Sequence, residues 1–140
     1  DHADTVVGGA QHEPKDYFRP MLKFLHKQET QVEAGVFVLP DDHPTSVFPH
    51  NIVVFGDVGV NETMSPEVLA HVAVGTCAVT RDLIPEDVLP EIHGAIVSYS
   101  HRGSDEGSSP ELVRRAAELV PGVLELGRHS GDPATAWPPV

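Results

Sequence analysis

The chain has 140 residues, 40% of them hydrophobic, which is enough for one domain with a buried core. Its formal net charge of -12 repels phosphate backbones and anionic lipids, so nucleic acid and membranes are poor candidate partners. No apolar run reaches the length of about 18 residues that a membrane span needs, and the N-terminus shows no secretion leader. The single cysteine, Cys77, cannot form a disulfide within the chain, so we expect a cytoplasmic protein.

The first half of the sequence predicts a strand, a helix and two further strands, in that order. Residues 5–7 are Thr-Val-Val and precede a glycine pair, which is typical of a short strand that ends in a turn. Apolar residues recur at helical spacing over 15–28, where Pro20 either starts or kinks the helix. Two apolar runs, at 36–39 and 51–60, then predict buried strands.

The middle of the chain predicts a helix that begins after Ser65. A serine suits the N-cap, Pro66 suits the first helical position, and Glu67 places an acid in the first turn. We expect one broad face of this helix to be buried, made of Val68, Leu69, Val72, Ala73, Thr76 and Val79.

The last third predicts a linker, a strand, a helix and a tail. Prolines bound the linker at 85–90, and an apolar strand follows at 95–99. Ser109 is expected to start an amphipathic helix, and the Pro-Gly pair at 121–122 to end it. Over 127–140 the composition turns to Gly, Pro, Ser and Asp, which is typical of a flexible tail.

This order of elements predicts an α+β fold. We expect a two-layer α/β sandwich in which the helices pack on one face of a mixed sheet. The domain would cover residues 1–126, and the flexible C-terminal tail residues 127–140.

Three stretches of the sequence resemble the formaldehyde-activating enzyme family. The first is His-x-Asp at 2–4, heading an apolar strand and a glycine turn. The second comprises the two apolar strands at 36–40 and 49–55. The third runs over 65–97, from Ser-Pro through a helix rich in alanine and valine to Leu-Ile-Pro and a strand. Together they cover roughly residues 2–120 in that family's order.

The resemblance implies a lyase that condenses formaldehyde with a tetrahydropterin co-substrate, with a ligand site between the subunits of a pentameric ring. By position it makes His2 the catalytic general acid. It also implies five substrate-binding positions. The family's residue is kept at Asp4 and is replaced at the other four, which are Gly35, Asp57, Gly59 and Val68 in this chain. We therefore expect an altered substrate, with formaldehyde condensation weak or lost.

His2 and Asp4 support such a site on their own chemistry. Residues two apart on a strand point to one face, and a histidine has a pKa near neutrality, which suits a general acid. The competing interpretation is a solvated strand end. Asp57 is likewise either a site residue or a solvated residue at the end of a strand. A carboxylate on an apolar strand costs free energy unless it is paired or solvated in a cleft.

Two functional hypotheses follow. The first is a lyase or condensing enzyme that acts on a small carbonyl or carbinol substrate, and the alternative is a non-catalytic small-molecule-binding module. The nine histidines fall in no metal-ligand spacing, so no metal is expected. A homo-oligomer is expected, with Phe18, Phe48 and Phe55 as candidates for its apolar contact surface.

Overall fold

The computed structural model describes residues 32–40, 48–57, 64–101 and 104–129, and the separate positions 11, 13, 16, 17, 20, 21 and 23. Its strands are β1 (Ala34–Val38) and β2 (Ile52–Gly56), and a 3-10 turn (Pro49–Asn51) precedes β2. Its long helices are α1 (Pro66–Leu83) and α2 (Ser108–His129). Neither helix is long and apolar enough to cross a membrane, in the part of the chain that is described.

β1 and β2 form an antiparallel pair in which Val36 lies opposite Val54 and Phe37 opposite Val53. β-branched and aromatic residues favour such a ladder, and both predicted strands are confirmed. β1 is not buried as predicted, since Phe37 is 48% and Val38 72% exposed. The second strand is shorter than predicted, because Asp57 has a left-handed backbone with φ of 57° and the ladder ends at Gly56. Gly56 approaches α1 closely, since a Cβ built there would lie 3.2 Å from the Cβ of Thr76.

α1 begins as predicted. The Ser65 hydroxyl accepts a hydrogen bond from the Val68 amide at 3.2 Å, and Pro66 occupies the first turn, where no backbone donor is needed. Of the six residues predicted for the buried face, Val72 is buried and the other five are partly buried, whereas Ala70 and Val74, outside that face, are buried. Their side of the helix is covered because α1 packs against both β2 and α2.

The core is centred on α1. Its members lie on α1, on the residue that follows it and on the middle of α2: Ala70, Val72, Val74, Thr80, Ile84 and Ala116. Two-sided packing of α1 therefore fixes where the strands and α2 lie.

The predicted end of α2 at residues 121–122 was wrong. The helix continues through Pro121 to His129. Proline removes the bond to the carbonyl of Ala117 and crowds that carbonyl with its ring; Ala117 is exposed, so water can solvate the freed oxygen. Val120 and Leu124, on either side of the proline, stay partly buried and hold the helix in place. Residues 127–129 of the predicted tail are thus helical, and 130–140 lie outside the described residues.

The predicted strand at 95–99 was also wrong, because this segment has no regular secondary structure. Val97 is 79% exposed and Tyr99 66% exposed, so the apolar residues that suggested a buried strand face solvent. The described positions between 16 and 23 are helical, in agreement with the predicted first helix. The predicted strand at 5–7 lies outside the described residues, and the mixed-sheet sandwich stays a prediction.

Candidate functional site

A cavity of about 810 Å³ lies beside α1. Its walls are residues 54–57 at the end of β2, α1 residues between Leu69 and Arg81, the irregular segment 91–97, and Val120 and Leu124 of α2. Since α1 packs against both β2 and α2, these walls converge on the best-packed part of the structure.

Apart from Arg81, the wall that α1 contributes is apolar although it contains two threonines. The Thr76 hydroxyl donates to the Val72 carbonyl at 2.8 Å, and the Thr80 hydroxyl donates to the Thr76 carbonyl at 2.7 Å. Both hydroxyls are therefore engaged by the helix backbone. Burial raises the pKa of the Cys77 thiol above its usual value, so the thiol is neutral near pH 7 and behaves as a small apolar group.

Arg81, in the last turn of α1, holds the opposite wall in place. Its guanidinium donates to the Leu89 carbonyl at 2.6 Å and to the Pro90 carbonyl at 3.2 Å. The turn before these residues is closed by the Val88 and Leu89 amides, which both donate to the Pro85 carbonyl at 3.0 Å. Guanidinium offers five N–H donors in a rigid fork, so these bonds leave further donors for a ligand.

The mouth of the cavity is polar. His93 Nε2 lies 3.3 Å from Glu91 Oε2, with side chains 82% and 79% exposed, so water screens this pair. Asp57 lies at the end of β2, where its amide donates to the Glu33 carbonyl at 3.2 Å. No group of three or more His, Cys, Asp or Glu side chains that could hold a metal occurs among the residues described.

The structure separates the predicted site residues that it describes. Asp57 lines the cavity. Gly35 lies opposite Phe55 on β1, and Val68 lies in the first turn of α1; neither belongs to the cavity wall. The other three predicted positions, His2, Asp4 and Gly59, lie outside the described residues.

Sequence reasoning missed Arg81, Cys77 and Gly94 as cavity residues. From the sequence, an arginine at the end of a helix is explained by the favourable interaction of its charge with the helix C-terminus. No sequence pattern predicts that its guanidinium bonds to carbonyls eight and nine residues away. Gly94 lies beside Cys77, where a Cβ would be 3.3 Å from the sulfur. The contact joins α1 to the irregular segment 91–97, and neither helical nor strand periodicity in the sequence predicts that these two segments meet.

The chain is similar to acyltransferases. The family model described as phosphate acetyl/butaryl transferase matches residues 1–123. Among curated proteins, the phosphate acetyltransferase of Clostridium acetobutylicum is 29% identical over 122 residues, which cover 85% of this chain and 34% of that protein. The phosphate acetyltransferase of Pseudomonas aeruginosa is 30% identical over 122 residues, which cover 86% of this chain and 16% of that protein. No solved structure matches the chain.

This chain therefore spans about a third or less of the length of these curated relatives. The match overturns the resemblance to formaldehyde-activating enzymes, and with it the lyase and condensing function that rested on this resemblance. The misleading stretches were apolar strands, a Ser-Pro-Glu helix start and a proline-bounded linker. Any chain that alternates strands and helices uses these signals, whatever its chemistry. The chain belongs to the phosphate acetyl/butaryl transferase family.

Proposed function

We propose that this chain takes part in the transfer of a short acyl group to inorganic phosphate. The observation that carries the proposal is the family match over residues 1–123, which includes β2, α1 and the irregular wall of the cavity. Relatives that match most of this chain are named for acetyl transfer to phosphate.

The reaction forms one bond and breaks another at the acyl carbonyl carbon. A phosphate oxygen attacks this carbon, and the leaving group of the donor departs with the electron pair and takes up a proton. An acyl phosphate is a reactive mixed anhydride, so the donor must be similarly activated, as an acyl thioester is. The site must then hold an apolar acyl group next to a doubly charged anion.

The cavity offers separate regions for these two groups. The α1 wall around Thr76 and Cys77 is apolar and suits the acyl group. Arg81 also lines the cavity and carries the positive charge that suits a phosphate oxygen. Its unused donors make it the candidate anion contact on α1.

Acyl phosphate formation is the direct test. The chain, inorganic phosphate and an acetyl thioester are mixed, and acetyl phosphate is trapped as its hydroxamate. Because the chain corresponds to 34% of the clostridial relative, a second sample replaces the 122 matched residues of that relative with this chain. The control is the same relative with those residues deleted.

We expect acetyl phosphate from the replacement protein and none from the deletion. A replacement protein that has the circular dichroism spectrum of its parent but makes no acetyl phosphate, while the parent does, would contradict the proposal.

We also propose that the chain forms a homo-oligomer. Phe37 and Phe55 are exposed and pack edge to face with ring centroids 5.4 Å apart, and Phe55 is also one of the residues that line the cavity. Such an apolar pair supports an interface. The pentamer rested on the overturned resemblance and is not proposed again. Light scattering at micromolar concentration tests the oligomer, and a monomer mass would contradict it.

A further inference from the structure

We infer that residues 95–99 form a contact between two copies of this chain, by pairing antiparallel with the same residues of the second copy. The pair is centred on Val97, which then lies opposite itself across a twofold axis. This inference rests on the proposed homo-oligomer and names a surface for it other than the Phe37–Phe55 pair. It does not depend on the proposed acyl transfer.

The first observation is that the backbone of this segment has no strand partner within the chain. In the part of the chain that the structure describes, residues 95–99 belong to no strand. None of their backbone N–H or C=O groups is hydrogen-bonded there to another backbone group. An extended segment in this state can accept a strand from a second chain, because its donors and acceptors are available.

The second observation is that exposure alternates along the segment as it does along a strand. Ala95, Val97 and Tyr99 are exposed, Val97 by 79% and Tyr99 by 66%. Ile96 and Ser98, which lie between them, are partly buried. Side chains that alternate in this way point to opposite faces of an extended backbone, and β-branched and aromatic residues favour pairing. The segment therefore has the shape that a partner strand needs.

The third observation is that the segment is held at both ends. On its N-terminal side, the Arg81 guanidinium donates to the carbonyls of Leu89 and Pro90. At its C-terminal end, the Tyr99 hydroxyl donates to the Glu106 carbonyl at 3.5 Å. Holding a segment in its bound conformation reduces the entropy that is lost on association, so these bonds favour pairing.

A second copy is the partner that fits, because the segment is uncharged and pairs with its own sequence. Residues 94–100 contain no Asp, Glu, Lys, Arg or His, although the net charge of the chain is -12. Two copies can therefore meet here without bringing like charges together, and a basic partner would find no carboxylate on this segment. Antiparallel pairing centred on Val97 sets Ala95 against Tyr99, so the exposed side chains of both copies share one face.

Single cysteines test this register. Cys77, the free cysteine of the chain, is replaced with alanine, and either Val97→Cys or Ala95→Cys is added. Opposite residues of an antiparallel pair have Cα atoms about 4.5–5.5 Å apart, within the range of about 4.4–6.8 Å that a disulfide spans. The two copies of Ala95 would lie more than about 13 Å apart. Under mild oxidation at micromolar concentration, we expect a covalent dimer from Val97→Cys and none from Ala95→Cys.

A charge at the twofold axis tests the contact without a disulfide. Val97→Lys places two ammonium groups opposite each other and should halve the mass that light scattering measures. The matched control is Leu83→Lys, which changes an apolar residue that is 61% exposed at the end of α1 and lies outside the segment. We expect this control to keep the mass of the unchanged protein.

The possible results separate this inference from the other proposals. No covalent dimer from Val97→Cys, or an equal yield from Ala95→Cys, would overturn the antiparallel pair. An oligomer that Val97→Lys leaves intact would overturn the inference and assign the proposed oligomer to another surface. A monomer mass for the unchanged protein would overturn both and leave residues 95–99 open to a strand of a different protein. Acyl phosphate formation is measured separately, and its failure would leave this inference intact.

Discussion

Replacing Arg81 with alanine should loosen the irregular wall of the cavity. The substitution removes the guanidinium bonds to the carbonyls of Leu89 at 2.6 Å and Pro90 at 3.2 Å. A hydrogen bond from a charged group contributes about 1.5–3 kcal/mol to stability. The bond to Pro90 is long and exposed, so we assign most of the effect to the bond with Leu89 and expect a loss of about 2 kcal/mol.

Urea denaturation measures this loss. With a slope of about 2 kcal/mol per molar urea, the midpoint should fall by about 1 M. The matched control is Arg114→Ala, which removes an exposed ion pair with Glu111 on α2 and should cost at most about 0.5 kcal/mol. The loss from Arg81→Lys should lie between the losses from Arg81→Ala and Arg114→Ala, because an ammonium group keeps the charge but cannot donate to both carbonyls in the geometry of a guanidinium. An equal loss from Arg81→Ala and Arg114→Ala would refute the assigned role of the two carbonyl bonds.

Three further substitutions test the packing and the titration of α1. Ser65→Ala should cost about 1 kcal/mol in urea denaturation, because the Val68 amide loses its cap, and an unchanged midpoint would contradict this. Gly56→Ala should lower the free energy of unfolding by about 1–3 kcal/mol, because the new methyl meets the Thr76 side chain. The double variant with Thr76→Ala should recover part of this loss. If the losses of the two single variants simply add in the double variant, the contact is contradicted. Burial raises the pKa of the Cys77 thiol above its usual value, so its neutral form stabilises the fold at lower pH, and this contribution is lost as pH rises through the folded-state pKa. Urea denaturation of Cys77→Ala should lack that alkaline decrease in stability.

Local signals in the sequence predicted those elements that depend on local interactions. The start of α1 follows from Ser65 and Pro66, since a side-chain acceptor and a residue without a donor satisfy the first turn within a few residues. β1 and β2 follow from short runs of β-branched and aromatic residues.

The features that sequence reasoning missed depend on distant parts of the chain. An apolar run becomes a strand only if a neighbour is placed to hydrogen-bond with it, and in the described part of the chain the segment 95–99 is in no strand ladder. Pro121 is tolerated within α2 because packing on both sides of it outweighs one missing bond. The cavity depends in the same way on the bonds of Arg81 across eight and nine residues.

The net charge of -12 argues against polyanions as partners, whereas the proposed function takes inorganic phosphate as a substrate. The two conclusions are compatible because they involve different distances. Binding to a nucleic acid sums many contacts along a charged lattice, so the charge of the whole surface decides it. At physiological ionic strength the screening length is about 8 Å, so a single phosphate responds mainly to the groups around its site. The lining of the cavity carries the Arg81 guanidinium and the carboxylates of Asp57 and Glu91, so the distances from these three groups to a phosphate, rather than the net charge, would decide whether the anion is held there.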